Sequence, residues 1–361
     1  MAKGDGADYV FGSPSTQQLN PCDIPSPGNH QKKASPFIMA IIWWTRMPAA
    51  CKRQCSAIME RKAIRLFLAA ATAVFVLAAQ GTCGGQTPPS APLRAKPPLS
   101  VRLYVIDCGT LHIADMGRFQ LKKEEVATTD LSVPCFLIVH PKGTLIWDTG
   151  AVPDAAWKPT GSPVTQHVVL PDSQQRDITM VKSLKGQLAE LGYSPSDITY
   201  LALSHYHYDH TANANEFAGA TWLVREVERD AMFAEKAPGT TQPSTYSDLR
   251  HSKTLILKDD EHDVFGDGTV VIKSAPGHTP GHQILYLKLA KTGGVVLSGD
   301  LYHYPEERAL DRVPTFEFNP EQTRATRVAI DAFLKMTGAQ LWIQHDFNGN
   351  TKLKKSPNFY E

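Results

Sequence analysis

Three histidines and an aspartate fall within six consecutive residues, His205-Tyr206-His207-Tyr208-Asp209-His210, directly behind the apolar and β-branched run Ile198 to Ser204. That juxtaposition limits what the chain can become, because a buried strand has to end at a rim where these polar side chains converge. Successive side chains of a strand point to opposite faces, so His205 and His207 share one side and can share one ion. Asp209 and His210 lie beyond the strand and can turn toward a second ion. Imidazole nitrogens and carboxylate oxygens are donors suited to Zn²⁺. A solvated or hydrogen-bonded histidine patch is the metal-free alternative. It loses ground at the other strand ends, where Gly277-His278, Gly299-Asp300 and Gln344-His345 each follow a β-rich run.

From about Ser100 onward β-rich runs alternate with helical patterns, and neither an internal repeat nor a Gly/Ser linker divides them. One domain of about 260 residues is the simplest count. Strands are predicted over 101–106, 135–139, 143–147, 198–204, 270–274, 284–289, 295–298 and 341–343. The third of these runs into the turn Asp148-Thr149-Gly150. Ile178, Val181, Leu184, Leu188 and Leu191 have helical spacing ahead of Gly192, which predicts a helix over 177–191, and a second helix is predicted over 321–336. Trp222, Phe233 and Tyr246, within 211–260, are expected to contribute a pocket wall.

The first hundred residues have a different character. Residues 1–58 are expected to be a disordered or wrongly included extension, since their Gly, Ser, Pro and Gln content cannot offset chain entropy. Residues 59–82 have a short basic lead, an uncharged apolar run and small residues after it, the pattern of a secretory signal peptide. The apolar run is short for a membrane span. Gln80-Gly81-Thr82 is a poor lipidation lead, so an anchor on Cys83 is not expected. Residues 83–100 would then be a linker and 101–361 the catalytic domain, exported to the periplasm or outside the cell. Of six cysteines, Cys83, Cys108 and Cys135 remain after the signal, and no CxxC pair suggests a zinc ribbon. Whether Cys108 and Cys135 pair is open at this point. With 37 basic and 36 acidic residues the chain has no electrostatic reason to hold nucleic acid. A small-molecule partner is expected, with the chain as monomer or homodimer.

The HxHxDH stretch, His278, Asp300 and His345 in that order, and the early Trp147-Asp148-Thr149-Gly150 resemble the metallo-β-lactamase superfamily over about residues 101–347. The resemblance implies an α+β fold, a four-layer αβ/βα sandwich, with two Zn²⁺ ions at one edge of two packed sheets, other divalent metals remaining open. It implies that His205, His207 and His278 hold one ion, that Asp209, His210 and His345 hold the other, and that Asp300 bridges them. His282 is left out of the ligand set. Asp148 resembles the family's strand-end aspartate, although an ordinary turn aspartate would look the same.

Two zinc ions that share a water make hydroxide available at neutral pH, so hydrolysis is the expected reaction, with Asp209 carrying the proton to the leaving oxygen. Within the superfamily, Val133-Pro134-Cys135-Phe136-Leu137-Ile138, Leu191-Gly192-Tyr193-Ser194-Pro195, Pro276-Gly277-His278-Thr279-Pro280-Gly281-His282 and Gln344-His345-Asp346 resemble the N-acyl-homoserine lactonases. Those enzymes commonly carry a tyrosine three residues after the bridging aspartate, where this chain has His303, preceded by Tyr302. Either is a candidate contact to the substrate carbonyl. Another ester, an aryl phosphotriester, a thioester or a β-lactam is the alternative substrate, and a non-catalytic zinc module the alternative class.

Overall fold

The computed structural model describes residues 97–158, 160–170 and 173–361. The described residues all lie within the unit 89–361. The expected extension, the signal segment 59–82 and Cys51, Cys55 and Cys83 lie outside the described residues. Of the expected linker only 97–100 are described, and they carry no helix or strand.

Two sheets organise the unit. Eight strands, β1 (Arg102–His112), β2 (Asp130–His140), β3 (Gly143–Trp147), β4 (Val164–Val169), β5 (Gln175–Met180), β6 (Tyr200–Ala202), β7 (Thr221–Val224) and β8 (Thr254–Ile256), form the first, in the order β4-β5-β1-β2-β3-β6-β7-β8. The second holds β9 (Glu261–Asp263), β10 (Val270–Ser274), β11 (Gln283–Leu289), β12 (Gly293–Leu297) and β13 (Gln340–Trp342), in the order β13-β12-β11-β10-β9. The α-helices among the described residues are α1 (Leu184–Glu190), α2 (Tyr208–Thr211), α3 (Glu226–Met232), α4 (Pro305–Ala309), α5 (Pro320–Thr337) and α6 (Phe347–Lys352).

Alternation along the strands explains the layers. Leu103, Val105, Phe136, Ile138, Leu145 and Trp147 point inward and pack with Val270, Ile272, Leu285, Leu287, Val295 and Leu297 of the other sheet. Their neighbours Tyr104, Ile106, Leu137 and Ile146 point the other way and are covered by Leu184 and Leu188 of α1 and Met232 of α3. On the far side Tyr286 and Val296 meet Ile330 and Leu334 of α5. Helix, sheet, sheet, helix is the expected four-layer sandwich. Because both faces of the central strands are buried, their sequences read as continuous apolar runs.

The helix predicted over 177–191 is corrected. Ile178 and Thr179 belong to β5, paired with Leu111 and Thr110 of β1 and with Gln166 and Thr165 of β4. Only Leu184–Glu190 is helical, started by the Ser183 hydroxyl accepting from the Gly186 amide. A β4–β5 hairpin therefore extends the first sheet beyond β1, and it becomes one wall of the site.

Candidate metal centre

Every candidate ligand follows the carboxyl end of a strand. β3 delivers Asp148, β6 the 205–210 stretch, β10 His278, β12 Asp300 and β13 His345. Two groups form: His205, His207, His278 and Asp300 in one, Asp209, His210 and His345 in the other, each with ligand atoms within 4.8 Å of one another and all buried. Asp300 stands between them. Its Oδ2 is 3.5 Å from His205 Nε2 and 3.3 Å from His278 Nε2, while its Oδ1 is 3.0 Å from His210 Nε2 and 3.1 Å from His345 Nε2. One carboxylate thus offers one oxygen to each group.

The inward nitrogens have little else to do. His205 Nε2 and Asp300 Oδ1 are buried without a hydrogen bond, which is costly unless a cation supplies the missing interaction. His278 Nε2 faces His207 Nδ1 at 2.9 Å, and His210 Nε2 faces His345 Nε2 at 3.3 Å. Nitrogen lone pairs brought that close fit divalent cations, and this donor set, rich in imidazole and lacking thiolate, fits zinc among them.

The outward nitrogens of four of the five histidines are engaged. His205 Nδ1 meets the Ser204 hydroxyl at 3.0 Å, His210 Nδ1 the Asp148 carboxylate at 2.9 Å, His278 Nδ1 the Glu317 carboxylate at 2.7 Å, and His345 Nδ1 the Ser132 carbonyl at 2.7 Å. Such partners fix the tautomer that leaves the other nitrogen free to ligate. Asp148 is not an ordinary turn residue. It is fully buried at a positive φ of 58°, and it also accepts from the Ser204 amide and the Gln344 side chain. His282 stands apart, with Nδ1 donating to the Ala275 carbonyl and Nε2 accepting from the Asp300 amide. Both its nitrogens are committed, so it supports the site and does not ligate.

Electrostatics follow the same division. Burial drives His205 and His207 well below the usual histidine range. Burial also opposes charge on His210, but Asp300 and Asp148 outweigh it and raise it well above that range. His278 is likewise pushed by burial toward neutrality and lifted by Glu317 and Asp300 to about 9. Burial works against ionised Asp300 as well, and His345, His210 and His205 hold it well below the carboxylate range all the same. The cluster is built to hold positive charge around one central anion.

A cavity of about 300 Å³ opens on this centre, with His207, Asp209, Asp300 and His303 on its floor. Leu111, Phe119, Leu131, Leu170 and Phe316 supply apolar walls, and Arg176 and Gln175 of β5 a polar edge. The expected wall of Trp222, Phe233 and Tyr246 is corrected. Trp222 is in the core behind β7, and Phe233 and Tyr246 line a different cavity with Met232 and Arg250. Of the two candidate substrate contacts, His303 lines the cavity, whereas Tyr302 packs with Ile330 and Leu334 beneath the Arg327 guanidinium, 4.1 Å away.

Several supporting groups had no sequence signature. Glu317 reaches His278 from a loop 39 residues on. Glu228 of α3 accepts from the Tyr206 amide, the Thr279 hydroxyl and the Gly281 amide, tying the two histidine loops together. Burial raises its carboxyl to about 7.

The metallo-β-lactamase superfamily model matches residues 128–342, ending just short of His345. The chain belongs to the metallo-β-lactamase superfamily. Curated relatives of this superfamily member include the N-acyl homoserine lactonase AttM of Rhizobium radiobacter, 30% identical over 271 residues, covering 72% of this chain and 98% of the relative. The AttM of Azorhizobium caulinodans is 29% identical over 265 residues, with 72% and 99% covered. A solved N-acyl homoserine lactone hydrolase with N-hexanoyl-L-homoserine at its catalytic metal center superposes with a TM-score of 0.59, at 23% identity, over 72% of this chain and 100% of that one. As a metallo-β-lactamase superfamily member with its His/Asp set gathered, the chain is an enzyme of the metal-dependent hydrolase class.

Proposed function

We propose that this enzyme opens the ring of N-acyl homoserine lactones by adding water, at a centre that holds two zinc ions. The reading rests on one observation above all: two His/Asp groups joined through Asp300 form the floor of a partly apolar cavity, in a chain whose curated relatives are named as lactonases of these molecules. His205, His207 and His278 would hold one ion, Asp209, His210 and His345 the other, and Asp300 both. When bound, the pair of cations lowers the pKa of water and polarises the ester carbonyl.

The protein's own groups supply the rest. Asp209 lies on the cavity floor, 3.6 Å from His345 Nε2 through one oxygen, and its second oxygen is placed to carry a proton to the departing ring oxygen. His303 lines the cavity and would donate to a bound carbonyl. Phe119 and Phe316 flank it edge-on at 5.1 and 5.4 Å, which keeps bulk water from competing for that donor. The apolar walls suit an acyl chain and the polar β5 edge its amide end or tip.

The test is metal analysis with turnover on one preparation: metal per chain, then acid release from N-hexanoyl homoserine lactone beside β-lactam, thioester and aryl phosphotriester substrates. About two metals with lactone opening abolished in His207→Ala is the expected result. Two metals with turnover of another substrate alone would replace the lactone, and a metal-free, inactive protein would remove the mechanism. We also infer export, supported by the 59–82 segment and by the Cys108–Cys135 disulfide, a bond that persists in oxidising compartments. Cell fractionation checks it, with the chain in the cytosolic fraction as the contrary result.

A further inference from the structure

His303 lines the cavity beside Asp300, outside both ligand groups, and it is held by buried charge. Its Nδ1 lies 3.1 Å from Glu307 Oε1, one turn further along at α4, and its Nε2 lies 3.2 Å from Asp300 Oδ2. The other Glu307 oxygen accepts from the Arg327 guanidinium of α5 at 2.8 Å. Arg327 also donates to the Leu301 and Arg312 carbonyls, the first at 2.8 Å, and so clamps the segment that carries Asp300 and His303. His303, Glu307 and Arg327 are 3%, 0% and 5% exposed.

Burying an ion pair at this depth costs more desolvation than it returns in stability, and apolar side chains of similar volume would pack as well. What the pair does accomplish is directional. A carboxylate on Nδ1 makes that nitrogen a donor, and the carboxylate is itself held at its other oxygen by one arm of the guanidinium. The imidazole then lies parallel to that of His345, within 2° and 5.7 Å, between the edges of Phe119 and Phe316, with Nε2 turned to the reacting side.

We propose that Glu307 and Arg327 are positioning residues for the reaction: they act through His303, holding its ring so that Nε2, beside Asp300 Oδ2, borders the cavity where it would meet the substrate carbonyl. The role of His303 toward a carbonyl rests on the lactone reading above; the His303-Glu307-Arg327 chain itself does not.

The experiment is a double-mutant cycle on the full-length, metal-loaded enzyme with N-hexanoyl homoserine lactone. Glu307→Gln should lower kcat about tenfold or more, as loss of an orienting partner does, with KM little changed and metal content intact. In a His303→Tyr background, where a phenol replaces the imidazole, Glu307→Gln should have no further effect, because the two residues act as one unit. Arg327→Met should reproduce the loss and Arg327→Lys should restore part of it. The apolar double variant E307L/R327M leaves no unpaired charge, so it should fold while still losing kcat. Equal losses from Glu307→Gln in both backgrounds, or full activity in E307L/R327M, would overturn the proposal. A histidine-labelled NMR spectrum separates the two readings. A hydrogen-bonded Nδ1–H of His303 that disappears in Glu307→Gln upholds the chain of contacts even if no lactone is turned over, and absence of that signal from the parent protein refutes it.

Discussion

Asp300 is the residue on which both halves of the centre depend, since its Oδ2 faces His205 and His278 and its Oδ1 faces His210 and His345. Asp300→Ala is expected to take metal content from about two ions per chain to well under one, whereas Asp148→Ala, which releases the far nitrogen of His210 together with the Ser204 amide and the Gln344 side chain, should weaken loading about 10- to 100-fold and leave sites reachable at excess metal. Elemental analysis after dialysis decides, and full loading of Asp300→Ala would remove its bridging role. His282 carries a pH effect of definite sign. Burial first and His278 second hold it down to about 4, against about 6.5 in an unfolded chain. Between those values only the unfolded state takes up a proton, so stability present above pH 6.5 drains away as pH falls toward 4. Urea unfolding of metal-free protein at pH 7 and pH 5 should show that fall, and His282→Gln should reduce it; His205, His207, His140 and His262, also pushed down, add to the fall, and Glu228, raised to about 7, opposes it. An unchanged fall would count against a neutral buried His282. The seven ligand candidates were legible because residues with no other reason to follow apolar strands stood at their ends. Glu317, Glu307 and Arg327 were not, since a lone charged residue in a loop or helix looks the same in sequence whether it meets water or an imidazole.

At the scale of elements, the joint between β10 and α5 is the tightest point. Gly277 adopts a φ of +136°, and a Cβ there would come within 2.4 Å of the Thr323 backbone nitrogen in the first turn of the helix. Gly277→Ala should therefore push α5 away from the loop that carries His278, lowering the thermal midpoint by several degrees and weakening metal retention together; scanning calorimetry and metal titration on the same sample check the pairing. A smaller loss, about 1 kcal/mol, is expected from Asn319→Ala, which removes the side chain that accepts from the Gln322 amide at the helix start. α5 itself was readable, from its amphipathic spacing and Gly338 after its end. The β4–β5 hairpin was not, because Ile178, Leu184 and Leu188 happen to fit a helical period across a strand, a turn and a short helix. Its pairing with β1 is decided by distant residues, and local spacing has no access to that.

For the whole molecule, the two-sheet architecture was implied by the resemblance that the HxHxDH stretch, His278, Asp300 and His345 carry, and the strand runs with no polar alternation agree with it, since strands covered on both faces tolerate them. The cysteine pair could not, because its Cα separation of 6.1 Å is made by the β1–β2 register. The bond closes a separation of 27 residues, so reduction is expected to cost about 3 kcal/mol by restoring freedom to the unfolded chain. Urea midpoints with and without reductant measure it, and coincident curves would show that the bond adds nothing. The strand-end placement of the ligands has one more outcome, which concerns synthesis. The first group closes only when Asp300 has been made and the second only with His345, sixteen residues from the last. A polypeptide cut short before position 345 is chemically incomplete however well its earlier strands fold. A product truncated between positions 300 and 345 therefore keeps the first group whole and lacks His345 of the second.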